Sequence, residues 1–101
     1  MTKTKQLSFT YIIEFRGGTY CSQVKAGNVN ESIAVWIEKL KSELPEIPYL
    51  GKKTVKEVEL LAMEEDHKPV LLNGLENAWY ISYLTKQGFL RGNIVQTDTT
   101  G

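Results

Sequence analysis

Phe9-Thr10-Tyr11-Ile12-Ile13-Glu14-Phe15-Arg16-Gly17-Gly18-Thr19-Tyr20-Cys21-Ser22-Gln23-Val24 is the stretch that decides the fold. Two runs that alternate apolar and polar residues flank adjacent glycines, the pattern of a β-hairpin. Side chains alternate across a strand, and a two-residue turn of the primed type needs positive φ, which glycine adopts at no steric cost. With Gly17 and Gly18 at the tip, the register pairs Phe15 with Tyr20, Ile13 with Ser22, Tyr11 with Val24 and Phe9 with Ala26. Those residues form one largely apolar face. Glu14 opposite Cys21, Ile12 opposite Gln23 and Thr10 opposite Lys25 fall on the other, which is mixed and wet. The glycines are not read as a phosphate cradle, because no Gly-rich strand-to-helix loop with a following Lys-Ser or Lys-Thr is present.

Downstream, Asn28 with Glu31 three residues later is a capping box, and a helix starts there. Ile33, Trp36, Ile37, Leu40 and Leu44 recur at helical spacing, and Pro45 stops the run. Residues 45–53, with two prolines and Gly51, form a loop. Thr54 with Glu57 looks like a second capping box, and Val55, Val58, Leu61 and Ala62 continue a helical stripe to about Glu64. A strand through Val58, Leu60 and Ala62 competes, since Glu64, Glu65 and Asp66 would stand at the negative end of the helix dipole. Residues 69–74 read as an extended connection.

Residues 78–84 and 89–95, rich in aromatic and β-branched types around Thr-Lys-Gln-Gly, predict a second hairpin. Its register pairs Leu84 with Phe89, Tyr83 with Leu90, Ile81 with Gly92 and Trp79 with Ile94. The opposite face pairs Ser82 with Arg91, Tyr80 with Asn93 and Ala78 with Val95. The expected fold is α+β: a four-stranded antiparallel sheet from two hairpins with two helices on one face, in the order β-β-α-α-β-β. The pattern leaves the strand order between the hairpins open. Residues 1–101 read as one domain with polar tails at 1–5 and 97–101.

The 101 residues carry no formal net charge, which argues against non-specific binding to nucleic acid or to an anionic membrane. Charge is uneven: residues 31–66 hold nine acidic against five basic groups. No apolar run approaches the length of a membrane span, and the start of the chain lacks the apolar stretch of a secretory leader. With Cys21 as its single cysteine, the chain has no internal disulfide framework, and cytoplasm is the expected location.

Catalytic groups are sparse. His67 is the only histidine, and in Glu64-Glu65-Asp66-His67 consecutive side chains cannot all converge on one ion, so no metal and no cofactor is expected. The run reads as a solvated turn that gives His67 no orienting partner for general-base work. Cys21 lies beside Glu14, and a neighbouring carboxylate disfavours the thiolate. Trp36 and Trp79 fit the core. The face left uncovered by the helices is the better candidate: Glu14, Gln23, Tyr80, Ser82, Arg91 and Asn93, with Ile12 and Cys21 among them. A second candidate surface is the acidic run Glu64, Glu65 and Asp66, suited to a basic partner.

The layout of Phe9–Phe15, Gly17-Gly18-Thr19-Tyr20, Gln23-Val24, Gly27-Asn28-Val29-Asn30-Glu31 and the helix from Ile33 to Leu44 resembles the small partial ribonuclease-H-like domain of HicB-type antitoxins. It covers less than half the chain and lacks the Pro-Gly element after the second strand and any DNA-binding extension. Together with the Trp79 strand and Asn93-Ile94-Val95-Gln96-Thr97, the chain also looks like small bacterial proteins of an immunity-protein type. Both resemblances imply a non-catalytic partner of another protein. The expected function is therefore a protein-binding module that masks a toxin or enzyme. The alternatives are a ligand-binding domain or enzyme using Tyr80, Arg91 and His67, a wet face shared with a second copy, and a sheet that binds single-stranded nucleic acid through Tyr80 and Arg91.

Overall fold

A computed structural model describes residues 6–97. Strands β1 (Leu7–Phe15) and β2 (Gly18–Ala26) form the first hairpin, followed by helix α1 (Val29–Ser42) and helix α2 (Lys52–Ala62). Strand β3 (Val70–Leu71) precedes the second hairpin, β4 (Ala78–Thr85) and β5 (Gly88–Thr97). The sheet is antiparallel in the order β2-β1-β5-β4-β3. The predicted four strands in the order β-β-α-α-β-β are thereby corrected to five. Val70 and Leu71 pair with Tyr80 and Trp79, and a two-residue strand offers no alternation that a sequence pattern could reveal. Of the tails expected at 1–5 and 97–101, residues 1–5 and 98–101 lie outside the described residues, whereas Thr97 is not tail but the last residue of β5, opposite Ser8.

The first hairpin turns one residue earlier than predicted. Arg16 and Gly17, at φ 48° and 82°, are its central residues, and Phe15 pairs with Gly18, Ile13 with Tyr20, Tyr11 with Ser22 and Phe9 with Val24. The Tyr20 ring lies over Gly18, and an added Cβ there would have to push that half-exposed ring aside. The partner of every β1 residue shifts by two positions, an even step, so no side chain changes face. Phe9, Tyr11, Ile13 and Phe15 are buried under the helices, as the alternation requires. The second hairpin has the predicted register throughout.

Helix α1 starts at its predicted cap. Asn28 Oδ1 accepts from the Glu31 amide at 2.8 Å, and Glu31 Oε2 accepts from the Gly27 amide at 3.0 Å. Asn28→Ala is expected to cost about 1 kcal/mol in a urea unfolding experiment, the usual worth of such a cap. Ile33, Trp36, Ile37 and Leu40 face the sheet, and the Trp36 ring stacks on Tyr11 at 4.8 Å between centroids.

Residues 52–62 are helix and not strand. The N-cap is Gly51 rather than Thr54, which is buried within the first turn. The helix ends at Ala62, and Glu65–His67 form a separate 3-10 turn, so the acidic run leaves the helix before its charges accumulate at the negative end. Val55 and Val58 close the core against the second hairpin. No helix among the described residues is long and apolar enough to cross a membrane.

Candidate functional site: the open sheet face and the hairpin-tip cleft

Because β1 lies directly against β5, the outer faces of the two hairpins join into one surface. One row across it runs Cys21, Ile12, Asn93, Tyr80 and Val70, and the next runs Thr19, Glu14, Arg91 and Ser82. Neighbouring strands lie about 4.8 Å apart, so side chains along each row are in contact range. Glu14, Tyr80, Ser82, Arg91 and Asn93 are thus brought together, while Gln23 lies one row further along the β2 edge, donating to Thr10 Oγ1 at 2.9 Å. Arg91 Nε is 3.9 Å from Glu14 Oε2, a loose contact between two exposed side chains. Asn93 Nδ2 donates to the Trp79 carbonyl at 3.4 Å. A shallow hollow of about 200 Å³ lies among Ile12, Glu14, Thr19, Tyr80, Arg91 and Asn93.

The face is more apolar than its polar members suggest. Ile12 and Tyr80 are exposed at its centre, Val70 at the β3 edge, and Leu84 and Phe89 as a cross-strand pair near the second turn. Sequence reasoning paired Leu84 with Phe89 but did not count them in the site. The signal was present, because alternation puts Leu84 on the face of Tyr80 and Ser82, and Phe89 on that of Arg91.

The acidic run is elsewhere. Glu64, Glu65 and Asp66 follow α2 on the helix-covered side, and the His67 ring packs over Tyr83 with centroids 6.1 Å apart. His67 is therefore half-buried rather than in an open turn. Its Nδ1 stands 3.1 Å from Glu64 Oε1 without the geometry of a hydrogen bond. Neither His67 nor the acidic run shares a surface with Tyr80 and Arg91. Among the described residues no three His, Cys, Asp or Glu side chains are grouped as metal ligands would be.

A second feature adjoins the face where the two hairpin tips meet. Arg16, at the first tip, donates from Nη1 to the Gln87 carbonyl of the second at 2.8 Å. The same guanidinium lies 4.0 Å from the ring centroid of Tyr49, in the loop before α2. Both residues hold left-handed φ, 48° and 68°. Such a conformation costs a side-chain-bearing residue about 1–3 kcal/mol. An exposed cation–π contact contributes only about 0.5–1 kcal/mol. For Arg16 that cost falls to the hairpin turn it closes, while Tyr49 is 64 % exposed and gains little from burial. Around this pair opens a cleft of about 750 Å³, walled by Glu14, Arg16, Tyr49, Gln87, Phe89 and Arg91 among others.

Two phenols are buried beneath the sheet. Tyr11 Oη is 2.6 Å from Ser32 Oγ, and since Ser32 donates its own proton to the Val29 carbonyl, Tyr11 is the donor. The Tyr83 hydroxyl has no hydrogen-bond partner. Burial pushes its pKa up to about 12, and burial raises that of Tyr11 as well. Neither phenol lines the open face or the cleft. Compared with protein-family models, curated proteins and solved structures, the chain matches none.

Proposed function

We propose that this chain is a non-catalytic protein-binding module that works through the uncovered face of its sheet. The observation that carries the reading is the β1–β5 junction, which makes one five-stranded surface exposing Ile12, Tyr80, Val70, Leu84 and Phe89 around the Glu14–Arg91 pair. Apolar groups clustered within a polar rim are the composition of a partner surface, and tyrosine and arginine contribute most at interface centres. Two cations set far apart, Lys25 at the β2 edge and Arg91 opposed by Glu14, suit a polyanion poorly, which favours protein over single-stranded nucleic acid. The resemblance to antitoxin and immunity-type proteins supports a toxin or enzyme as the partner masked. Cys21, exposed and free, suits a reducing compartment such as the cytoplasm.

A photo-cross-linking residue at Ser82, on the open face, is expected to capture one stoichiometric protein in the native host. The same residue at Glu38, on the solvent side of α1, should not. Tyr80→Ala with Arg91→Glu is expected to abolish capture at Ser82. Capture that ignores both substitutions, or that occurs only from Glu38, would overturn the reading.

A further inference from the structure

We propose that the cleft between the hairpin tips is a carboxylate-binding site, fitted to an acidic residue adjoining an aromatic one in a segment of the protein partner. This rests on the reading of the chain as a protein-binding module and names the chemistry its partner presents.

Arg16 is held at two points. Nη1 is bound to the Gln87 carbonyl, and the guanidinium rests on Tyr49. None of the ion pairs among the described residues uses it. A guanidinium carries five N–H donors in a planar fork that matches a carboxylate, and the Gln87 contact takes one of them. The left-handed φ of Arg16 belongs to the hairpin turn itself, so closing the turn already sets the arginine at the mouth of the cleft before any ligand arrives. Bound to Gln87 and stacked on Tyr49, it is a preorganised cation, and an arginine already immobilised loses less freedom when it binds.

Arg91 stands on the same wall, tied only by its loose 3.9 Å contact with Glu14. Two arginines against one glutamate leave the cleft a single positive charge. That balance matches one carboxylate and opposes a phosphodiester chain, whose affinity grows with the number of phosphates neutralised. The turn amides of the second hairpin are already spent: Lys86 N–H donates to Glu57 Oε2 and Gln87 N–H to Thr85 Oγ1. Recognition therefore falls to the arginines. Phe89, 53 % exposed, and Tyr49 offer ring surface beside them, where a neighbouring aromatic side chain would stack. The volume is that of a small-ligand site and admits two residues of a peptide.

The test is a titration of the whole nitrogen-15-labelled protein with acetyl-aspartyl-phenylalanine amide, followed by nuclear magnetic resonance. Saturable shifts are expected at the Arg16 and Arg91 side-chain Nε–H groups and at the Gly17 and Gly88 amides. The asparaginyl analogue should bind about tenfold more weakly, the loss of one charge-assisted pair. Arg16→Gln and, separately, Tyr49→Ala should each weaken the acidic dipeptide while leaving the rest of the spectrum dispersed. Equal affinity for the two dipeptides, tighter binding of inorganic phosphate, or unchanged binding by both variants would overturn the proposal. A dipeptide that fails to bind while Ser82 still captures a partner overturns the cleft alone. Dipeptide binding with no capture at Ser82 supports the cleft and overturns the sheet face.

Discussion

Gly92→Ala is expected to cost about 3 kcal/mol or more, the upper range for adding atoms to a packed interior, and to leave little of a small domain's stability. Gly92 sits in β5 between Ile13 of β1 and Ile81 of β4, on the buried side. A Cβ there would land on the Ile12 carbonyl oxygen and come within 2.8 Å of Ile13 Cδ1 and 2.9 Å of Ile13 Cα. The Ile13 side chain can move, but the carbonyl belongs to a ladder strand held on both sides. Relief therefore requires β1 and β5 to separate. Glycine inside a strand ordinarily weakens it, and its place here marks the close approach of the two strands. Urea unfolding of Gly92→Ala against Gly51→Ala is the check. At Gly51 an added Cβ meets nothing within 4 Å and φ is −97°, so the lost N-cap preference of glycine and the reduced freedom of the unfolded chain oppose each other, and a net change under about 1 kcal/mol is expected. A Gly92→Ala midpoint equal to wild type would mean that β1 and β5 do not pack as described. The open face would then lose its basis.

That junction was the part of the fold least legible in the sequence. Alternation identified which side of each strand is buried, because each residue's face depends only on its own strand. It could not say which strands are neighbours. A clue lies in the contrast between the hairpin partners: β1 buries Phe9, Tyr11, Ile13 and Phe15, whereas β2 presents Tyr20 and Ser22 half-exposed on the same side, as an edge strand does. The turn of the first hairpin was misplaced because two glycines compete for one role. Gly17 serves the positive φ, Gly18 lies under the Tyr20 ring, and Arg16 takes the other turn position despite its side chain.

The Asn28 cap was readable because its whole mechanism is local in sequence. The Thr54 cap misled, since the same spacing also arises inside a helix whose threonine is buried. For the site, the polar members of the face were legible and its apolar members were undercounted. The Arg16–Tyr49 stack, 33 residues apart in sequence, leaves no periodic trace. The acidic run is conspicuous in charge alone, and it lies on the covered side, where its neighbours are α2 and β4 and not the open face.

Alkaline pH is expected to unfold the protein through Tyr83 and Tyr11. Both phenols are buried and both ionise less readily than in the unfolded chain, Tyr83 rising from 10.0 to about 12 and Tyr11 shifting in the same direction. Below pH 10 both states keep these protons, and stability does not depend on them. Above it the unfolded chain releases its protons first, so stability falls as pH rises, by about 2–3 kcal/mol for Tyr83 up to pH 12 and further through Tyr11. Tyrosinate absorbance should show a steep late phase coincident with loss of the tryptophan signal from Trp36, which stacks on Tyr11. Single substitutions separate the two phenols. Tyr83→Phe removes a buried hydroxyl with no partner, so it should raise stability at neutral pH by about 1 kcal/mol and move the alkaline transition upward. Tyr11→Phe removes the 2.6 Å bond to Ser32 and should lower neutral stability by about the same amount, while also moving the alkaline transition upward relative to its own neutral baseline. The opposite signs at neutral pH are the discriminating feature. A Tyr83→Phe loss as large as that of Tyr11→Phe would mean that the Tyr83 hydroxyl is hydrogen-bonded in solution, and a buried water would be its first candidate partner.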